Sequence, residues 1–590
     1  MQSINKYKVT GLERQLKELR CLLETIYKDH PVEELDSMWL QLLQILEANR
    51  KSDFSDLKSN LPQWDSSTVV LITYADGVYS STNPTLKPLE ELIDKHLDNL
   101  ASIIHLLPFL CSTSDGGFAV SSYEKIEPRF GEWDDLKRLS KNHILMADLV
   151  LNHISASHQW VQQFKKSEEP GRKYILAPIN NNNWSNVIRP RNSSLFTAIA
   201  TKDGKKDVWT TFGPDQIDIN WREPKVFIEF LILLARYFNH GIRWIRLDAI
   251  GFIWKEPKTT CLHLNEVHLF VKALRIFLQS LQDSFVLITE TNVPEKENIS
   301  YLKPGDEAHL AYNFPLPPLL LESIISNKAD LINKWLCSWP SLPNKTGFLN
   351  FTASHDGIGL RALEGIMDQN RLHNLLIACE KRGGLISHRR MPNGEDKPYE
   401  LNISWWSAMS DTGVNPNNLQ FERFILSQLF VMALKGVPAF YFQSLMASEN
   451  DLISFGKSGE RRDLNRERFD LNKLEVILKD PTSAASKNLS KLKKAMNIRR
   501  QFNAFHPKEN MQCLTPGRSD FVVICRGEKN DRVWALHNMT NSKLSMSLLD
   551  YLKMEKQNQT CWFDILNEVN YQDNYIEMQP YSVHWLIQKK

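Results

Sequence analysis

Four side chains in this chain could do chemistry together: Arg246, Asp248, Glu290 and Asp356. The stretch Gly241-Ile-Arg-Trp-Ile-Arg-Leu-Asp-Ala-Ile-Gly251 reads as a short buried strand that ends on a carboxylate. Ile242, Trp244, Ile245 and Leu247 supply β-favouring bulk. Period-2 alternation puts Arg246 and Asp248 on one face. An arginine beside an aspartate lowers its pKa and holds it ionised, which suits a nucleophile. Alone, the pair is equally a structural ion pair at a strand end. Other apolar runs also end on polar residues: one on Asp148 and Asn152-His153, one on Glu290, one on His355-Asp356. Two carboxyl groups about 5 Å apart suit a retaining glycosidic mechanism, with one ionised and the other protonated. Glu290 follows Leu287-Ile288-Thr289 and has no cation in the adjacent sequence, so a raised pKa fits it as the acid. His355 and Asp356 would then grip sugar hydroxyls.

These residues must be brought together by the elements that carry them. The apolar runs are Val69–Tyr74, Ile103–Phe109, Ile144–Leu151, Ile242–Leu247, Phe285–Thr289, Leu310–Phe314, Phe348–Phe351 and Val437–Phe442. Helix-period segments such as Leu89–Leu100, Trp133–Leu139, Val226–Phe238, Val267–Leu281 and Phe424–Leu434 lie between many of them. Repeated βα units predict an α/β fold, a closed (β/α)8 TIM barrel. An open doubly wound sheet is the alternative, but no glycine-rich phosphate loop follows the first run. The barrel is expected over 61–153, 216–357 and 421–500. The long connections 154–215 and 358–420 are expected to be an inserted subdomain and a second inserted lid. The first contains Asn180-Asn-Asn-Asn183 and Arg189-Pro-Arg191. From about 501 to 590, short strand-like runs without helical spacers predict a small C-terminal β domain. Residues 1–60 read as a helical extension, with Leu12, Leu16, Leu19, Leu23 and Ile26 on one face and Leu35, Trp39, Leu42 and Leu46 on another. Packing on the barrel is the default for this pair; a partner-binding surface is the alternative.

A formal charge of +2 over 590 residues does not point to nucleic acid or an acidic surface as partner. The 16 tryptophans could include sugar-stacking platforms, although tryptophan more often fills cores. Eight scattered cysteines form no CxxC pair, so neither a zinc site nor a disulfide framework is expected. The N-terminus lacks an apolar signal core, and no apolar run approaches the roughly 20 residues that span a bilayer. A soluble, cytoplasmic protein without membrane contact is expected, with homo-oligomerisation left open.

Asp148-Leu-Val-Leu-Asn-His153, Arg246-Leu-Asp248, Glu290 and His355-Asp356 resemble, in order and spacing, the four signature regions of the α-amylase superfamily. The resemblance runs from about residue 64 to the C-terminus. It implies retention of α configuration, with Asp248 as nucleophile, Glu290 as acid/base and Asp356 as transition-state stabiliser. Asp115-Gly-Gly-Phe118, Tyr123, Pro128-Arg-Phe-Gly-Glu-Trp133, Trp209-Thr-Thr-Phe-Gly-Pro-Asp-Gln-Ile-Asp218 and Arg462-Asp-Leu-Asn-Arg466 resemble the sucrose phosphorylase branch. That branch implies Asp115 and Arg462 on the far hydroxyls of a terminal glucose and Phe118 against its ring. It also implies His153 and Arg246 in the sugar site, and Arg191 in a loop that can turn inward to phosphate. Tyr399-Glu400-Leu401-Asn402 replaces the Tyr-Gln-Leu-Asn type of sucrose phosphorylases. The loop Phe442-Gln443-Ser444-Leu445 through Ser448-Glu449-Asn450 departs likewise. Both look more like the glucosylglycerate and glucosylglycerol phosphorylases, so Tyr399, Glu400 and Gln443 are expected in the acceptor half.

The expectation is therefore a glycoside phosphorylase that passes glucose from a small glucoside to inorganic phosphate. Glucosylglycerate is the preferred donor, ahead of sucrose and glucosylglycerol. Phosphate is a co-substrate, and neither an organic cofactor nor a metal is implied. Arg191, Arg389 and Arg390 are the candidate anion contacts; solvated lid charges are the alternative for the last two. Glu400 is expected to accept hydrogen bonds from acceptor hydroxyls or to orient an arginine. A hydrolase with the same residues is a rival. A non-catalytic barrel is another, disfavoured because all three carboxylates are present.

Overall fold

A computed structural model of the chain describes residues 2–50, 64–98, 100–178, 183–391, 394–411, 419–528, 531–548, 561–572 and 575–589, with the backbone alone at 2–10 and 589. The expected boundary near residue 60 and Asn180–Asn182 lie outside the described residues. All eight apolar runs become barrel strands. They are β1 (Val70–Thr73), β2 (Ile103–Leu106), β3 (Ile144–Val150), β4 (Ile242–Asp248), β5 (Val286–Thr289), β6 (Leu310–Tyr312), β7 (Gly347–Phe351) and β8 (Val437–Tyr441). They pair in sequence order, and β8 closes on β1 through Val70 opposite Ala439. Every pair is parallel. The strands are short and buried on both faces, because helices such as Pro224–Asn239 and Asn265–Leu281 cover the outside.

The interior of β4 is layered as its alternation requires. Trp244 lies at the barrel floor, with Trp64 edge-on at 6.3 Å between ring centroids. Arg246 occupies the middle, opposite Asp148 of β3 and Ile288 of β5. Asp248 ends the strand at the mouth, where the chemistry of this architecture sits.

Two connections build walls at that mouth. Between β3 and β4, Phe196–Thr201 and Gly204–Trp209 form a hairpin, and Gln216–Asp218 pairs with His153–Ser155. Between β7 and β8, Asp396–Asn402 pairs with Leu385–Arg390 on one side and with Ile358–Gly359 on the other. That second pairing ties the insertion to the residues just after Asp356. Beyond the barrel, a six-stranded sheet runs in the order Met511–Cys513, Phe521–Arg526, Val533–Asn538, Val583–Lys589, Cys561–Asp564, Val569–Tyr571.

At the other end of the chain, α1 (Gln2–Ile26) and α2 (Val32–Arg50) pack against Asn265–Leu281 and Pro224–Asn239. Leu19, Leu23, Leu42 and Leu46 are buried there, and Glu18 pairs with Lys272 at 2.8 Å. No helix among the described residues is long and apolar enough to cross a membrane.

Candidate active site

One guanidinium organises the floor of the cavity. Arg246 Nη1 donates to Asp248 Oδ1 at 2.9 Å and makes a shorter contact with Asp148 Oδ1. Its Nη2 lies 3.6 Å from Glu290 Oε2 and 3.7 Å from Asp356 Oδ2. Asp148 does not line the cavity; its second oxygen is 2.8 Å from His105 Nε2. The Phe118 and Tyr312 rings face Arg246 at 5.6 and 5.3 Å, Phe118 from the cavity lining. Asp248, Glu290, His355 and Asp356 all line the cavity, as the strand ends require. Ala249, next to Asp248, adopts φ 47°, ψ 31°, a left-handed conformation costly for a residue with a Cβ. That turn aims its N–H at Glu290 Oε2, 3.1 Å away.

The arginine does not have the simple effect on Asp248 that its sequence position suggests. Burial, then Glu290, Asp148 and Asp356, push the Asp248 carboxyl well above the ordinary range, against the pull of Arg246. The expectation of a lowered pKa fails first because Asp248 is buried, and then because the one guanidinium is shared by four carboxylates, of which Asp148 holds the shortest contact. Glu290 is raised too, by burial and then Asp356. Both shifts favour the protonated form, and the two neighbouring carboxyls influence each other's titration. Arg246 pulls both carboxyls down and hydrogen-bonds only Asp248 of the two, while the Ala249 N–H favours the charge on Glu290.

A second set closes the far side of the cavity. Arg462 Nη1 is 2.7 Å from Asp356 Oδ1 and 3.5 Å from Asp115 Oδ1. Burial would raise the Asp356 carboxyl, but Arg462, Arg246 and Arg466 outweigh it and hold it below the usual range. Asp115 is lowered in the same sense by Arg462, Arg466 and Arg191. Gly117, at φ 109°, packs so tightly that a Cβ would lie 2.5 Å from the Pro108 carbonyl oxygen. Phe118 lies flat against His355, with centroids 4.8 Å apart and planes 8° off parallel. Burial pushes the His153 pKa down to about 4, so the ring is neutral at pH 7; its Nε2 is 3.1 Å from the Gln216 amide nitrogen. Gln216 also donates to Asp115 Oδ2 at 3.3 Å. Neither Gln216 nor Arg466 is a candidate from its residue type, although each lies in a stretch that carries the family resemblance. Thr291 and Asn292, directly after Glu290, line the cavity without any distinguishing sequence signal.

The acceptor half differs from its sequence-based picture. Tyr399 lines the cavity, and Arg191 stands over its ring at 5.5 Å. Glu400 lies behind the cavity wall rather than in it. Its carboxylate takes a bidentate bond from Arg462, 3.0 Å to each oxygen, and the Gly357 N–H at 2.7 Å. Of the two roles expected for Glu400, orienting arginines is the one its surroundings match. Gln443 is not at the cavity: it is buried beyond the end of β8 and donates to the Glu467 carbonyl at 3.1 Å. Arg389 and Arg390 do not line it either. Each has its own acid, Glu364 at 2.5 Å and Asp396 at 2.6 Å. Adjacent residues on a strand point to opposite faces, so the dipeptide could not deliver both cations to one site.

A (β/α)8 barrel whose mouth gathers carboxylates around one arginine, inside a walled pocket, is the architecture of a glycoside-processing enzyme. Residues 92–363 match the α-amylase catalytic domain. Over 530 residues the chain is 36% identical to glucosylglycerate phosphorylase of Allomeiothermus silvanus, covering 89% of this chain and 92% of that one. It is 27% identical over 460 residues to sucrose phosphorylase of Agrobacterium vitis, covering 74% and 89%. The crystal structure of sucrose 6F-phosphate phosphorylase from Thermoanaerobacter thermosaccharolyticum superposes with a TM-score of 0.69 at 23% identity, over 82% of this chain and 95% of that one. The chain belongs to the α-amylase family, in the branch that holds the sucrose and glucosylglycerate phosphorylases.

Proposed function

We propose that this chain is a retaining α-glucoside phosphorylase. Asp248 attacks the anomeric carbon, and Glu290 gives its proton to the leaving oxygen. A covalent glucosyl-Asp248 forms as the glycosidic bond breaks. Phosphate oxygen then attacks the same carbon from the side the aglycone left. Glu290 takes up a proton, Asp248 is released, and α-glucose 1-phosphate leaves with net retention. Asp356, held by Arg462, stabilises the positive charge that develops on the sugar ring. His355, His153, Asp115 and Phe118 hold the glucose itself. Arg191 and Tyr399 meet the incoming phosphate. The chain's own carboxylates and arginines carry every step, so no cofactor is required.

The observation that carries this reading is the position of Arg246, hydrogen-bonded to Asp248 and more distant from Glu290. That hydrogen bond favours the charge on Asp248 against the burial that raises it, and Glu290, raised by burial and Asp356, serves as the proton donor. Glucosylglycerate is the preferred donor, supported by similarity to the glucosylglycerate phosphorylases over most of the chain. The test is to incubate the protein with glucosylglycerate, sucrose and glucosylglycerol, each with and without phosphate, and measure glucose 1-phosphate. Phosphate-dependent release, fastest from glucosylglycerate, is expected. Free glucose at the same rate without phosphate would make the protein a hydrolase. Equal or faster turnover of sucrose would overturn the donor choice.

A further inference from the structure

Glu400 holds its two arginines unequally. The bond to Arg462 is bidentate at 3.0 Å, whereas Arg191 Nη1 stands 3.6 Å from Oε2, beyond hydrogen-bond distance. The carboxylate itself cannot move far. The Gly357 N–H fixes it at 2.7 Å, and the packing is so close that a Cβ on Gly357 would lie 2.4 Å from Glu400 Cγ. Its side chain is 3% exposed, while that of Arg191 is 24% exposed and lines the cavity. A fixed buried anion thus faces one fixed cation and one loosely held, accessible cation.

We infer that Glu400 is a resident counter-anion for Arg191, displaced from it by the anionic co-substrate. Before phosphate enters, the Arg191 guanidinium rests over Tyr399 within the field of Glu400. When phosphate enters, Arg191 exchanges a long ion pair for charge-assisted hydrogen bonds to phosphate oxygens. When glucose 1-phosphate leaves, Glu400 takes the cation back. Glu400 is a positioning residue: it weakens anion binding by competing for Arg191 and thereby eases product release. This rests on the phosphorylase reading above.

The experiment is a double-mutant cycle on the phosphate KM. E400Q keeps an oxygen for the Gly357 N–H and for Arg462 but removes the charge. It should lower the phosphate KM about fivefold, the scale of one weak ion pair. On an Arg191→Ala background the same change should leave the phosphate KM where it was. A general loss of structure would raise the KM, so the expected sign separates the two. An unchanged or raised phosphate KM in folded E400Q, or an equal fall with and without Arg191, overturns the exchange. Should E400Q not fold, E400D, which withdraws the carboxylate from Arg191 while keeping its charge, is read in the same way. If the wild type makes no glucose 1-phosphate from any donor, the phosphorylase reading fails instead. Calorimetric titration of wild type and E400Q with inorganic phosphate then decides the exchange by itself.

Discussion

On the proposed phosphorylase reading, the donor half and the acceptor half of the cavity stand on different parts of the fold. Asp248 ends β4 and Glu290 directly follows β5, where a closed ladder of backbone hydrogen bonds fixes each Cα; Asp356 stands in the loop beyond Phe351 at the end of β7, its carbonyl held by the Asn465 amide at 2.9 Å. Tyr399, Glu400 and Arg191 stand on insertions, placed by a strand pairing at Gly359–Glu400 and by ion pairs. The first half has little freedom, which suits groups that must meet a reacting carbon within a fraction of an ångström. The second half can vary in residue and position without disturbing the barrel, which suits the choice of leaving group. Substitutions in the two halves should therefore fail in different ways.

The largest effect belongs to Asp248. Asp248→Asn removes the charge that becomes a covalent bond, and kcat should fall at least about 10⁴-fold. A 2-fluoroglucosyl donor should label Asp248 in the wild type. Mass-spectrometric labelling of Glu290 or Asp356 instead would overturn the assignment of the donor half.

Next is the acid. Glu290→Gln should cost about 10²- to 10⁴-fold with glucosylglycerate, whose leaving oxygen needs a proton. Glucosyl fluoride needs little protonation and should still glucosylate the enzyme. Equal losses with both donors would remove Glu290 from this role. The pH dependence follows in sign. Burial and Asp356 raise Glu290, so the acid stays protonated, and the glucosylation step stays active, to higher pH than an ordinary glutamate would allow. The basic limb of kcat/KM should lie above the ordinary glutamate value of about 4.3 and vanish in Glu290→Gln with glucosyl fluoride.

In the acceptor half, the expected loss is smaller and falls on KM. Arg191→Ala should raise the phosphate KM about tenfold, the worth of one charge-assisted hydrogen bond, and change glucosylation by fluoride little. A fall in the glucosylation rate as large as the rise in KM would mean that Arg191 serves the donor half as well.

What was legible in the sequence divides along the same line. Several barrel runs combine β-favouring bulk with a polar residue at their ends, so strand, order and mouth can all be read, and with them the carboxylates. The sharing of Arg246 could not be read. It depends on Asp148, 98 positions away in sequence, lying beside it across the β3–β4 ladder. Nor can the burial of Asp248, the larger cause, be read from the neighbouring residues, so proximity to Arg246 suggests the opposite pKa shift. In the insertions, proximity misled more. Gln443 follows a barrel strand directly, yet it turns to the Glu467 backbone, because the helical turn Phe442–Leu445 starts at once and directs it away from the cavity. Glu400 is legible as a departure from the sucrose phosphorylase motif, but its partners Arg462 and Gly357 come from two other loops.

The smallest effect is expected from Arg390, which tests how far the acceptor half reaches into the second insertion. Its Nε and Nη2 hold both oxygens of Asp396 at 2.6 and 3.2 Å across the Leu385–Arg390 and Asp396–Asn402 pairing. Both side chains are well exposed, 41% and 39%, so water screens the pair and its contribution to stability is small. Neither residue lines the cavity, and Asp396 neutralises the charge that would otherwise attract an anion. Arg390→Ala should therefore leave the phosphate KM within about twofold of wild type, the scale of a screened surface charge. A tenfold rise, matching that of Arg191→Ala, would show that the hairpin folds over the bound anion during turnover. The acceptor half would then extend beyond Tyr399 and Arg191, and the separation drawn between a fixed donor half and a small adaptable acceptor half would have to include a moving third part.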